Sequence, residues 1–289
     1  MLNKIKSELL NLGLKFIDVD EKIVRLFLET PPANINEIVI LPTTKFVMKK
    51  VVNKLENKNK KGYVYNGLLN GVRVSVIRSH MGCPNMAIMV ECLKRTKANK
   101  ILRIDFCGGI PGLKNSVDIG DVIIPKLAYC GDGTSPQYIL TNTSLSTQLK
   151  SIDNPRGQYQ NLIAGKQIIY ISKPNEALSN VLNDQGKSLY ESKIKLVDLW
   201  TTDALFCETQ EFLRTMKSIE VEAIDMESSI LFLLGALYNL KTCAILGFSD
   251  LPGTEYDFLD SNEIHSEMEP GIDRAIKILI SSLPDIKNI

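Results

Sequence analysis

Arg103 and Asp105, the run Thr201, Thr202 and Asp203, Glu227, and the pair Ser249 and Asp250 each follow a short apolar run of this 289-residue chain. Ligands of open α/β sheets bind beyond the carboxyl ends of the strands. This reading therefore puts one guanidinium and several carboxylates on one rim. Such a rim can pair with an anion, accept hydrogen bonds from hydroxyl groups and move a proton. Two of the acids have a plainer reading beside the chemical one: Asp203 or Glu227 would serve to cap the following helix, where a carboxylate accepts free backbone N–H groups.

The elements that must position these residues alternate along the chain. Ile38 to Leu41 reads as a buried strand ended by Pro42, and Phe46 to Leu55 carries apolar residues at helical spacing. The basic stretch Lys54 to Lys61 reads as a solvated helix end and turn. Tyr63 to Leu69 and Val72 to Ile77 flank Asn70-Gly71 and predict a hairpin, because that dipeptide takes the positive φ angles of a type I′ turn. Met86, Met89, Val90 and Leu93 predict an amphipathic helix ending near Lys97.

Ile101 to Ile104 predicts a strand running into a Gly-rich turn, Cys107 to Gly112, and Val122 to Ile124 a strand closed by Pro125. Leu140 to Lys166 reads as a polar surface excursion. Beyond it come helices over Asn175–Leu182, Glu208–Met216, Ser228–Leu240 and Glu269–Leu283, and strands over Leu196–Trp200, Ala223–Met226 and Thr242–Phe248. The fold class expected is a single α/β domain: a mixed, mostly parallel twisted sheet, partly barrel-like, flanked by helices.

Composition narrows the function. With 44% hydrophobic and 23% charged residues the chain can bury a core, and 34 Lys plus Arg against 33 Asp plus Glu lack the basic excess of a nucleic-acid partner. The longest nearly unbroken apolar run, Ile230 to Tyr238, is far below the roughly 20 residues of a membrane span. With no secretory pattern at the N-terminus, a cytoplasmic location is expected. Six cysteines without a C-x-x-C pair predict reduced thiols and no metal site. His80 and His265 read as turn or surface residues.

Three ordered segments carry a resemblance: Leu102 to Ile110 with Val117 to Val122, then Ala223-Ile-Asp-Met-Glu-Ser-Ser229, and Ile245-Leu-Gly-Phe-Ser-Asp250. Met81 to Pro84, Asp132 to Ser135 and Thr201 to Asp203 add to it. Together, from about Ile38 to Leu283, they resemble the nucleoside phosphorylase family of purine nucleoside phosphorylases, uridine phosphorylases and related nucleosidases. The resemblance implies a catalytic domain over 36–285 behind an N-terminal helical extension over 1–35. It also implies cleavage of the N-glycosidic bond of a nucleoside, purine first, by phosphate to give free base and ribose 1-phosphate. A nucleosidase using water, a uridine phosphorylase and a catalytically silent nucleoside-binding or storage relative are the alternatives.

By the same resemblance Asp250 donates a proton to the leaving base, Glu227 grips ribose above Met226, and Arg103 with Lys45 binds phosphate. Leu205, Phe206 and Gln210 fall at the base pocket. No cofactor is implied, inorganic phosphate being the co-substrate, and the partners are small molecules and further copies in a homodimer or homohexamer, with Lys60 and Lys61 on a loop able to reach a neighbour. The chain departs from the family in its first loop, where Pro42-Thr-Thr-Lys-Phe-Val47 lacks the second phosphate arginine, and after Arg103, where Asp105 and Phe106 replace Gly and a hydroxyl residue. A carboxylate there repels phosphate, so weak phosphate use is expected.

Overall fold

The computed structural model describes residues 18–113, 117–156 and 168–289. Its helices are α1 (Val19–Leu28), α2 (Lys45–Asn53), α3 (Cys83–Leu93), α4 (Ser135–Thr141), α5 (Thr143–Gln148), α6 (Glu176–Tyr190), α7 (Gln210–Ser218), α8 (Ser228–Tyr238) and α9 (Met268–Asn288). The strands are β1 (Ile38–Pro42), β2 (Glu56–Lys61), β3 (Val64–Leu69), β4 (Val72–Ile77), β5 (Lys100–Gly109), β6 (Val122–Cys130), β7 (Lys150–Asp153), β8 (Ile168–Ser172), β9 (Ile194–Thr201), β10 (Ala223–Asp225) and β11 (Lys241–Asp250).

These strands form one sheet in the order β2-β3-β4-β1-β5-β10-β9-β6-β8-β7, with β11 pairing both β5 and β6. The double pairing of β11 closes β5, β10, β9, β6 and β11 into a ring. The ladders β4·β1, β1·β5, β5·β11, β10·β9 and β9·β6 are parallel; the two outer ends of the sheet are antiparallel. This is the mixed, partly closed sheet expected.

Every residue of β1 is buried because the strand faces a core on each side. Val39 and Leu41 pack in the cluster that holds α1, α3 and α8, whereas Ile38 and Ile40 pack in the cluster that holds α2, α6 and α9. On β5 the same alternation sends Leu102 and Ile104 to the second cluster and Ile101 to the first. Arg103 and Asp105 share the face of Ile101 by the two-residue period of a strand. α8 is apolar on all sides and buried from Ser228 to Gly235, the pattern of a helix enclosed by the core.

The structure corrects several local expectations. The basic stretch is not a helix end and turn: Glu56–Lys61 is the exposed edge strand β2, paired to β3, so Lys60 and Lys61 lie on a strand rather than a loop. Its lysines suit an edge that must not recruit another strand. The Gly-rich stretch after Ile104 continues β5 through Gly109, because β10 and β11 supply its ladder partners. Pro125 does not close β6, which runs on to Cys130 past a register shift between Pro125 and Leu127 that absorbs the missing N–H. The polar excursion contains the end of α4, all of α5 and β7, and its residues 157–166 lie outside the described residues, as do residues 1–17 of the N-terminal extension. The hairpin forms as read, with Asn70 at φ 47° and Gly71 at φ 71°.

Candidate active site

Arg103 is 1% exposed and lies between two carboxylates. Its Nη1 meets Asp225 Oδ2 at 3.0 Å and its Nη2 pairs with Glu227 Oε2. Burial alone disfavours the guanidinium charge, yet Glu227, Asp225 and Asp105 hold its pKa above the ordinary arginine range. Glu227, 2% exposed, is pushed up to about 7, first by burial, against the pull of Arg103, with Asp225 adding to the rise.

Asp225 decides between the two readings of Glu227. Its Oδ2 accepts the N–H of Ser228 at 2.9 Å, and its Oδ1 accepts the hydroxyl of Thr201 at 2.7 Å. That hydroxyl in turn accepts the N–H of Ser229 at 3.0 Å. The first turn of α8 is thus served by Asp225 and Thr201, and Glu227, though at the N-cap position, makes no capping bond. Its Oε1 accepts instead the N–H of Gly82 at 2.7 Å. Gly82 has φ 93°, a region L side chains rarely enter, so a glycine presents this amide.

Asp203 does not cap α7 either. Thr209 does so by accepting the N–H of Phe212 at 3.3 Å, while Asp203 accepts the N–H of Gly133 at 2.6 Å. Cys83, Asp132 and Asp203 have ligand atoms within 4.8 Å of one another. Asp132 accepts the N–H groups of Thr134 and Ser135 and the hydroxyls of Ser135 and Ser229, so this cluster ties α4 and α8 to the end of β6.

Asp250 ends β11, where its Oδ1 accepts the hydroxyl of Ser249. Burial raises its pKa, the Ser249 bond opposes this, and Asp257 adds to it. Glu208 is pushed up to about 8, first by burial and then by Asp250 and Asp257. A cavity of about 430 Å³ is lined by Asp250, Tyr256, Asp257, Phe258, His265 and Met268 among others. Apart from Asp250, the sequence reading singled out no catalytic or binding role for this lining; His265, in a loop and edge-on to the Tyr256 ring at 5.1 Å, forms part of its wall. His80 is exposed at φ 64°.

The remaining sequence-derived residues are less gathered. Met226 is half-buried, and its carbonyl accepts from the Cys83 thiol at 3.2 Å. Leu205 and Phe206 lie in the short 3₁₀ turn Leu205–Cys207, with Phe206 83% exposed. Gln210 Nε2 donates to the Gly253 carbonyl at 3.3 Å. Lys45 is exposed on the first turn of α2. Asp105, which the resemblance set against phosphate, turns towards that same turn: its Oδ2 accepts the N–H groups of Thr43 and Thr44, each at 2.7 Å.

A model of the phosphorylase superfamily matches residues 37–284, nearly the whole described fold. The chain belongs to the phosphorylase superfamily. Among relatives of this superfamily, the chain is 20% identical to guanosine phosphorylase of Halorubrum lacusprofundi over 258 residues, 86% of this chain and 94% of the relative. Among solved structures, purine nucleoside phosphorylase of Toxoplasma gondii in complex with immucillin-H superposes with a TM-score of 0.68 at 19% identity, over 90% of this chain and 95% of that one. Uridine phosphorylase of Vibrio fischeri superposes with a TM-score of 0.67 at 18% identity, over 87% and 93%. These likenesses fix the fold of this superfamily member; the chemistry must be argued from its own side chains.

Proposed function

We propose that this chain is an enzyme that cleaves the N-glycosidic bond of a nucleoside, purine nucleosides first, without a cofactor. The observation that carries the reading is the state of Glu227. Its carboxylate is held by one N–H on each oxygen, from Gly82 and Arg103, and takes no part in capping α8. An ionised carboxylate has about four acceptor positions, so capacity remains for two neighbouring hydroxyls of a ribose ring.

Asp250 supports the second half of the reaction. Gly108 of β5 is paired with Asp250 on one side and with Ile224 on the other. At about 4.8 Å per strand, the Asp250 and Ile224 backbones are roughly 10 Å apart, with Glu227 three residues beyond Ile224. As the bond from C1′ to the base lengthens, positive charge grows on the sugar and negative charge on the base. Glu227 holds the hydroxyls, and Asp250, whose pKa burial raises, gives a proton to the base.

The adjoining cavity of about 430 Å³ lies within the range of small-molecule pockets. Purines are put before uracil because Asp250, by the resemblance, stands where the purine enzymes protonate the departing base. The similarity to a guanosine phosphorylase points the same way. Incubating the purified chain with purine and pyrimidine nucleosides and separating the products by chromatography tests this. Free purine base is expected, and no free base from any nucleoside would overturn it.

A further inference from the structure

β1 ends opposite Asp105: Leu41 is paired with Arg103 and Pro42 with Ile104, so Thr43 is the next residue across from Asp105. Beyond Pro42 the chain turns into α2 with Thr44 as N-cap, leaving the amides of Thr43 and Thr44 free of the ladder. Free amides at a helix start beside a buried guanidinium make a cradle for an anion. Here the cradle holds the chain's own carboxylate. Asp105 Oδ2 accepts both amides at 2.7 Å and the Thr44 hydroxyl at 3.3 Å, and Oδ1 accepts the N–H of Phe106 at 2.9 Å.

Three further side-chain nitrogens near the cradle also have protein partners. Both terminal nitrogens of Arg103 are paired with Asp225 and Glu227, and Arg78 Nε donates to the Thr43 carbonyl at 3.0 Å. Phe106, which offers no side-chain donor, stacks on Phe46 with ring centroids 6.2 Å apart. Three buried acids, Asp105, Asp225 and Glu227, surround one buried arginine. Of the described buried groups at this rim, Arg103 Nε has no hydrogen-bond partner. One N–H can orient one water; it leaves the other oxygens of a phosphate facing carboxylates.

We propose that Asp105 is an internal anion that closes this cradle to phosphate, so that the sugar is transferred to water. This deepens the functional reading above and rests on it. Water adds through its oxygen to C1′ as the bond to the base breaks. The electron pair of that bond leaves with the base, which takes the proton of Asp250, and the added water loses one proton to solvent. The products are free base and free ribose, and Asp250 regains its proton from solvent.

The test follows base release from a purine nucleoside across a phosphate titration, identifies the sugar by ³¹P and ¹H NMR, and measures inorganic phosphate binding to the nucleoside-free protein by calorimetry. Wild type should release base at a rate independent of phosphate, give ribose, and bind no phosphate. Asp105→Gly frees the two amides and should bind phosphate and gain a phosphate-dependent rate of roughly tenfold, the worth of one recovered charge-assisted hydrogen bond. Asp105→Asn removes the charge while keeping an acceptor on those amides, so it should gain a smaller phosphate-dependent rate, and phosphate indifference of this folded variant would contradict the role of Asp105 as an internal anion even if the glycine variant fails to fold. Ribose 1-phosphate from wild type, or phosphate binding by wild type, would overturn the closed cradle. Absence of base release under every condition would overturn the functional reading and the water step with it, leaving the calorimetry to judge the cradle separately.

Discussion

The N–H of Gly82 points at Glu227 Oε1 across 2.7 Å, joining the loop before α3 to the residue before α8. Nothing crowds that glycine: an added methyl would meet only Pro84, at 3.7 Å. What forbids a side chain is the backbone angle, φ 93°. Gly82→Ala should therefore cost about 1–2 kcal/mol of stability from the positive φ alone, and turn the amide away from Glu227. Urea unfolding should show the loss, and KM for the nucleoside should rise as the carboxylate loses its anchor.

Asp225 should matter more to the fold than Glu227 does. It neutralises buried Arg103, accepts from Thr201 and caps α8. Asp225→Ala is expected to destabilise by about 3–5 kcal/mol, the usual cost of breaking one side of a buried pair. Denaturant midpoints measure this, and a loss near zero would show that Glu227 alone satisfies Arg103.

Much of the site was legible because charged residues that interrupt apolar runs stand out. Glu227 was visible as an acid between a short strand and an apolar helix, but its sequence position is equally that of a cap. Only the contacts of Asp225 and Thr201 with Ser228 and Ser229 settle which acid caps. Asp225 and Glu227 converge on Arg103 because β10 ends at Asp225 and the chain turns into α8 at Glu227, a bend that carries no periodic signal in the sequence. β2 was illegible for a different reason: all its side chains are exposed, so it has no apolar period and is held by the backbone ladder to β3. Asp105 was read as an obstacle to phosphate. That it has partners of its own required the register of β1 against β5.

Asp250 must carry a proton to assist the leaving base. Burial lifts its pKa above the ordinary carboxylate value, the Ser249 hydrogen bond opposes the rise, and Asp257 adds to it. Base release should therefore be sustained at low pH and fall as pH rises through that raised value. Asp250→Asn should slow natural purine nucleosides on the order of 10² to 10⁴-fold and remove this descending limb. Ribosides with activated leaving groups should lose much less; an equal loss for both would assign Asp250 to loop structure.

Glu208 gives a pH dependence of stability. Its pKa in the folded chain is pushed up to about 8 by burial and by Asp250 and Asp257, above its ordinary 4.5. A raised acid contributes stability that is present below the unfolded value and is lost as pH rises through the folded one. Thermal unfolding of wild type should weaken between pH 5 and pH 9 more than that of Glu208→Gln, which carries no such proton. Parallel curves for the two proteins would contradict the assignment.

The most direct measurement is single-turnover release of free base from a purine nucleoside by wild type and by Glu227→Gln. The amide keeps the size of the side chain and can still accept from Gly82, but it loses the charge that draws two ribose hydroxyls and Arg103. Charge-assisted hydrogen bonds contribute about 1.5–3 kcal/mol each, so the variant should release base at least roughly tenfold more slowly while its circular dichroism is unchanged. Equal rates for wild type and Glu227→Gln would contradict the assignment of this rim as the place where the glycosidic bond is broken.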